Sequence, residues 1–409
     1  MPQHPRLLPL LGGAAGLHAG DQLAMAALPL AAMLALGGNA PLVGLLLAVQ
    51  ASAWLVCSLP AGLAVDRFGR AGVLRLAATL AAAGLSLAAL GAVLRLAVLL
   101  AAGAFAGSAG TVLFVLAAGS AVPDLVARDR LAAANARLEL ARALVTLAAP
   151  PIAGLAASLG RPELAFALAA LAAGAAHIAL ARMPVIKPAP AAPGPRLRAA
   201  LVEGGRFLLR EKLLRGIALC AVFWNMGFFA LLAAFVPHAL GTLGMGAAAI
   251  GLAQGGYGAG LLAGAIAAPL MLGRFGPAPV LFGGPAVSVL APMLLLGASP
   301  GGTALPLSLA ALFLIGAGPM MWLICQQSIR QAVTPRPLLG RVGAALQMAI
   351  YGVRPAGALA GGMLAEAWGP RAGIALALVL FLLSLGAVCV SALGRLRRMP
   401  VPEGQRAGA

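Results

Sequence analysis

The sequence predicts an all-α membrane protein, twelve transmembrane helices arranged as two six-helix bundles related by pseudo-twofold symmetry. Three observations carry that expectation. Of the 409 residues, 62% are hydrophobic and 9% charged, with a mean hydropathy of +1.01. Soluble domains carry roughly 25% charged residues, so a chain this apolar has too little polar surface to face water and takes lipid as its solvent. Apolar runs of about 20 residues, long enough to cross a bilayer core as helix, recur twelve times. The chain also repeats itself at an offset of 207 residues: Val43-Gly44-Leu45 matches Ile250-Gly251-Leu252, and Ala61-Gly62-Leu63-Ala64-Val65-Asp66-Arg67-Phe68-Gly69 matches Ala268-Pro269-Leu270-Met271-Leu272-Gly273-Arg274-Phe275-Gly276. A half-length repeat among membrane spans marks a transporter architecture of two related halves.

In chain order, the spans are expected at 7–36, 40–62, 71–93, 97–122, 132–159 and 163–183, then at 214–240, 246–272, 279–299, 303–332, 340–366 and 371–394. Short turns at Gly37-Gly38-Asn39 and Gly160-Arg161-Pro162 separate apolar runs that are otherwise nearly continuous. The only long polar stretch runs from Met183 to Lys212. The prolines of its first half forbid a continuous helix, and residues 200–215 form an amphipathic segment. The expected organisation is an N-terminal bundle over 1–183, a linker over 184–212 carrying that amphipathic helix, and a C-terminal bundle with a short tail over 213–409.

Lysine and arginine set the orientation. Loops on the side of the N-terminus, the linker and the C-terminus hold 23 of the 28 Lys and Arg residues, and the opposite side holds only Arg95, Arg161 and Arg371. Both termini and the linker are therefore expected in the cytoplasm. The formal charge of +18 is scattered between apolar spans rather than gathered on one face, which excludes a nucleic-acid partner. Arg outnumbers Lys by 26 to 2, a bias of GC-rich bacterial genomes, so the expected location is the bacterial inner membrane. The N-terminus lacks the short apolar region and cleavage site of a removable signal peptide, so the first span is expected to remain. Cys57, Cys220, Cys325 and Cys389 lie in apolar segments without metal or disulfide spacing. No histidine spacing suits a metal, no glycine motif suits a nucleotide, and nothing suggests covalent catalysis. Neither an enzyme nor a cofactor is expected.

Gly62-Leu63-Ala64-Val65-Asp66-Arg67-Phe68-Gly69-Arg70 resembles the loop signature between the second and third helices of the major facilitator superfamily. Gly20-Asp21-Gln22 with Ala27-Leu28-Pro29-Leu30, Val122-Pro123-Asp124-Leu125-Val126 with Leu131-Ala132-Ala133-Ala134-Asn135, and Leu339-Gly340-Arg341-Val342 resemble its multidrug-type exporters, including macrolide and enterobactin efflux proteins. The resemblance implies a secondary transporter with a gate at Gly62, Asp66, Arg67, Gly69 and Arg70, with Asp124 as the carboxylate partner of a loop arginine. Asp66 is expected near the start of the eleventh span. The fourth helix carries no arginine of the proton-linked kind found in many antiporters.

Charges within spans are the other functional signal. Asp21 lies near mid-membrane in the first span, where a carboxylate costs at least about 2.5–3.5 kcal/mol to insert. It must be paired, hydrated by a cavity or protonated, which makes it the candidate proton-coupling group. Asp21 is expected to face the central cavity or a buried cation, with Arg142 the nearest plausible one. Glu139, three residues before Arg142 on the same helix face, could itself pair with Arg142 and is the alternative carboxylate. Arg354 in the eleventh span is the second buried cation. Gln50, Trp54, Trp224, Asn225, Gln254, Tyr257, Trp322, Gln326, Gln347 and Tyr351 collect on spans that line the central cavity in the resembled superfamily. With Arg142 and Arg354 they form the expected substrate-binding set. An apolar, aromatic and amide lining suits amphipathic organic solutes better than sugars. The expected activity is alternating-access export of amphipathic small molecules by proton antiport, carried out by a monomer in the bilayer. The alternatives are an uptake or lipid-related carrier for an organic anion and, more remotely, a transport-inactive membrane sensor.

Overall fold

The computed structural model describes residues 7–126, 130–183 and 197–400, with the backbone alone at Leu59, Gly62, Leu63, residues 65–68, Ala132, Leu197, Arg198 and Arg336. Thirteen α-helices account for nearly all of it, and there is no strand among the described residues. The N-terminal half comprises α1 (Leu8–Leu34), α2 (Ala40–Phe68), α3 (Arg70–Val93), α4 (Ala97–Leu125), α5 (Leu131–Ser158) and α6 (Glu163–Ala181). The amphipathic α7 (Leu197–Arg210) follows the linker. The C-terminal half comprises α8 (Lys212–Pro237), α9 (Ala247–Phe275), α10 (Pro277–Gly297), α11 (Ala304–Val333), α12 (Leu339–Trp368) and α13 (Pro370–Val390).

Ten of these helices are long and apolar enough to cross a membrane. The two long helices that miss that criterion, α1 and α12, carry Asp21 and Arg354 respectively. Both are of spanning length, at 27 and 30 residues, and complete the twelve. Their lower hydropathy reflects charges placed inside the protein rather than helices that leave the membrane.

The halves repeat each other in packing. Within the first, α1 packs on α5 and α6, α3 on α4 and α6, and α2 on α4; within the second, α8 packs on α12 and α13, α10 on α11 and α13, and α9 on α11. Taking α8–α13 as the counterparts of α1–α6, each of these pairs in one bundle has its partner in the other. The seams between bundles obey the same relation, with α2 against α12 and α5 against α9.

The loop signature is more helical than the sequence suggests. α2 continues six residues past the expected end of its span and stops only at Gly69, so Asp66 and Arg67 belong to its last turn. Nothing in Ala64-Val65-Asp66-Arg67-Phe68 breaks a helix, whereas Gly69 adopts φ of 72°, which glycine enters without steric cost. Gly276, its match 207 residues on, adopts φ of 77° between α9 and α10. Sequence repeat and backbone repeat coincide at this turn.

Glycine also explains the upstream match. A Cβ on Gly44 of α2 would lie 2.6 Å from the Ala358 carbonyl oxygen and 3.2 Å from the Gly362 Cα of α12. A Cβ on Gly251 of α9 would lie 2.6 Å from the Pro150 carbonyl oxygen and 2.7 Å from the Gly154 Cα of α5. Both seams are therefore backbone-to-backbone, the close approach that small residues permit in membranes. All four glycines sit at helix ends on the side away from the linker. Asn39 Nδ2 donates to Glu366 Oε1 across the bundles at 3.2 Å on that same side. The two halves are thus clamped together opposite the linker.

Candidate functional site

The most unusual group between the bundles is Arg354. Its Nε donates to Asn225 Oδ1 at 3.0 Å, and Asn225 is itself oriented by donating from Nδ2 to the Ala221 carbonyl at 2.9 Å. The guanidinium carbon lies 4.7 Å from the Tyr351 ring centroid and 5.3 Å from that of Phe229. Cation–π contacts of this kind contribute about 0.5–2 kcal/mol each, and a hydrogen bond to a charged group about 1.5–3 kcal/mol. Together they are of the size of the insertion cost of an arginine on translocon scales, about 2.5–3.5 kcal/mol, so the charge is held without a carboxylate. Among the described residues no acid lies within ion-pair distance. Arginine has five N–H donors, and among the described residues only the Nε of Arg354 has a protein acceptor.

The surroundings are aromatic. Trp224 stacks on Phe228 with centroids 5.1 Å apart and planes 12° from parallel; Phe228 lies 5.4 Å from Tyr257 of α9. Trp224 is pinned by donating from Nε1 to Ser288 Oγ of α10 at 2.9 Å. From the other bundle, Trp54 of α2 meets Tyr351 of α12 at 4.9 Å. Gln50 and Tyr257, 207 residues apart in the repeat, occupy matching positions on α2 and α9. Gln254, one turn before Tyr257, is buried with its Oε1 unpartnered.

Asp21 is the half-buried acid of α1 in the N-terminal bundle. Its carboxylate is against Ser108 of α4, and Arg354 is the cation that acts on it. Arg354, Tyr257 and Tyr351 are half-buried as well. The expectation that Arg142 is the cation of Asp21 is corrected here. Arg142 turns instead to Glu139 on its own helix, with Nε and Nη2 at 2.9 and 2.7 Å from Oε2. That pair is open to solvent, 36% and 64% exposed, and lies nearer the linker side. An acid one turn away on the same helix face is a closer partner than one on a neighbouring helix. His18, one turn before Asp21 on α1, sits in the field of Arg142 and Glu139 and edge-on to Phe114 at 6.1 Å. Sequence reasoning set His18 aside for want of metal spacing; its i, i+3 relation to Asp21 was the available signal.

A sequence profile of the Major Facilitator Superfamily matches residues 10–351. The chain belongs to the major facilitator superfamily. Solved structures of this fold align along nearly its whole length. The nucleoside transporter NupG covers 94% of this chain and 98% of its own, with a TM-score of 0.74 and 13% identity. A POT family transporter solved with 5-aminolevulinic acid covers 95% and 96%, at 0.76 and 15%. A bacterial homologue of the iron transporter ferroportin, in an inward-facing state, covers 95% and 99%, at 0.72 and 15%. No curated protein sequence matches the chain. At these identities the structures speak to fold alone. A superfamily fold implies a multi-pass membrane protein that carries a small molecule.

Other residues of the expected site are distributed unevenly. Arg70 donates from Nη1 to Asp124, joining the start of α3 to the end of α4. The Asp66 and Arg67 side chains and any contact of Gly62 lie outside the described residues, and with them the expected approach of Asp66 to α12. Trp322 and Gln326 of α11 are buried; Trp322 belongs to an apolar cluster that includes Cys325 and Ile329, its Cβ against Gly284 of α10. Trp322 Nε1 and Gln326 Oε1, one turn apart, both lack a hydrogen-bond partner among the described residues. Gln347 is exposed near the linker side.

Proposed function

We propose that this superfamily member is a secondary active transporter that exports amphipathic small molecules by alternating access, with Asp21 exchanging the proton. The observation that carries the reading is a half-buried carboxylate, Asp21, on one bundle and a half-buried guanidinium, Arg354, on the other, each in the field of the other and neither ion-paired among the described residues, with the rings of Tyr351 and Phe229 packed against the arginine. A substrate between them would put its apolar body on Trp224, Phe228, Tyr257, Trp54 and Tyr351. Its polar group would take the free N–H donors of Arg354. Asp21 is placed to hold a proton when the substrate site is empty and release it when a charged or polar group arrives. The clamp on the side opposite the linker corresponds to a carrier open toward the linker side, which the Lys and Arg distribution assigns to the cytoplasm. In this reading the protein acts as a monomer in the bacterial inner membrane, and the Arg70–Asp124 pair, with Asp66 and Arg67, belongs to the cytoplasmic gate.

A second reading, carriage of an organic anion inward, is favoured by the unpaired guanidinium of Arg354. Accumulation of dyes, macrolides, siderophores and aromatic carboxylates in expressing and deleted cells separates the two. Export predicts lower accumulation of amphipathic cations or neutral compounds in expressing cells. The anion reading predicts higher accumulation of a carboxylate. In reconstituted vesicles, Asp21→Asn is expected to abolish gradient-driven accumulation while exchange down a gradient persists. Uphill transport equal to wild type in that variant rules out Asp21 as the coupling group.

A further inference from the structure

Away from the central charges, a cavity of about 430 Å³ opens at the linker-side end of the C-terminal bundle, where α8 begins and α13 ends. Three cations line it: Lys212 and Arg215 from the first turn of α8, and Arg395 from the short helical turn after α13. None of the three has an ion-pair or side-chain hydrogen-bond partner among the described residues. No carboxylate lines the cavity. Glu211, the acid nearest in sequence, turns back to accept from the Leu213 N–H and caps α8. Apart from Ser391 the rest of the wall is apolar, and two of its side chains face outward, Leu219 at 45% and Val390 at 85% exposed.

The site is held in shape by its own packing. Leu393 is fully buried and anchors the turn that carries Arg395, and Ser391 Oγ caps that turn by accepting from the Leu393 N–H at 3.3 Å. Gly216 lets Ser391 approach α8 closely, since a Cβ there would lie 2.8 Å from Ser391 Oγ. The ends of two membrane-spanning helices fix the depth of the cavity at the boundary between hydrocarbon and headgroups. Three unpaired cations at that depth would repel one another if left alone, and an anion relieves them. An outward apolar wall continuing up α8 and α13 has no use for a small soluble ion, but it suits acyl chains.

We propose that this cavity binds an anionic phospholipid, its headgroup phosphate held by Lys212, Arg215 and Arg395 and its acyl chains lying along Leu219 and Val390. A basic residue near an anionic leaflet contributes about 1 kcal/mol, close to fivefold per cation. The test is native mass spectrometry of the purified full-length chain with phosphatidylglycerol, cardiolipin or phosphatidylcholine. Wild type is expected to retain phosphatidylglycerol or cardiolipin in preference to phosphatidylcholine. Replacing Lys212, Arg215 and Arg395 together by Gln is expected to weaken that retention roughly a hundredfold. Arg397→Gln with Arg398→Gln, which removes neighbouring charge that does not line the cavity, is expected to weaken it far less than the triple replacement does. Unfolding temperature in lipid-free detergent checks that each variant is folded. Equal loss in the Arg397/Arg398 variant, equal retention of phosphatidylcholine, or displacement of the lipid by excess inorganic phosphate each overturns the proposal. The last outcome would mark a free-phosphate site instead.

Discussion

Among the described residues the direct contacts of Arg354 are all with neutral groups, Asn225, Tyr351 and Phe229, and that decides what a substitution does. Replacing it with Gln removes the charge and leaves Asn225 Oδ1 without its donor, in a place where an unsatisfied acceptor costs about 1–3 kcal/mol. Arg354→Gln is therefore expected to raise the half-saturating concentration of a transported compound about tenfold to a hundredfold, with membrane expression retained. Arg354→Lys keeps the charge but loses the planar fork and is expected to fall between. Unchanged transport kinetics in Arg354→Gln would remove the arginine from the substrate site. At this scale the sequence was informative about which residues are unusual and poor at saying which ones meet. Asp21, Arg142 and Arg354 all stood out because charge is costly in a span. Their pairing depended on how α1, α5 and α12 rotate about their axes, which a one-dimensional pattern does not contain. The pairing of Arg142 with Glu139 is local to one helix, three residues apart on one face, and that spacing is written in the sequence; that Asp21 lies in the field of Arg354 spans two bundles and is not.

At the scale of helices, the boundaries of the spans were read closely because apolar run lengths and Gly or Pro punctuation are local signals. The exception was α2, where polar residues suggested a loop although no helix breaker intervenes before Gly69. The repeat at Gly44 and Gly251 was also legible, but its meaning required the fold. Each glycine lies at a seam where helices of opposite bundles touch through backbone. That symmetry makes a paired prediction. Gly44→Ala and Gly251→Ala each place a Cβ 2.6 Å from a carbonyl oxygen, and overpacking of this kind costs about 1–3 kcal/mol. The cost applies only while the seam is closed, so each substitution is expected to shift the population toward the state open on the side away from the linker, roughly five- to a hundredfold. Labelling of a cysteine introduced at Gln50, applied from that side of oriented vesicles, measures the shift. The two variants should move it in the same direction. An effect from one seam alone would contradict the equivalence of the halves.

For the whole molecule, alternating access requires the bundles to separate where they are now clamped. The Asn39–Glu366 hydrogen bond marks the outermost point of that clamp, and because it is exposed it adds little to stability, in the manner of surface pairs. Asn39→Ala or Glu366→Ala alone is accordingly expected to leave transport near wild type. A covalent link is another matter, because it converts a contact that must break in every cycle into one that cannot. Placing cysteines at both positions and joining them with a short thiol crosslinker should stop transport, and a cleavable crosslinker should restore it on reduction. The chain's own cysteines at positions 57, 220, 325 and 389 must first be replaced, since Cys389 is exposed and would react. The crosslinked carrier should still bind substrate from the linker side, because locking the clamp holds the centre open in that direction rather than destroying it. Binding retained with transport lost identifies rocking about these seams as the motion of the cycle. Transport at full rate in the crosslinked carrier would mean that substrate crosses without the bundles parting at Asn39 and Glu366, and the alternating-access reading of this clamp would fall.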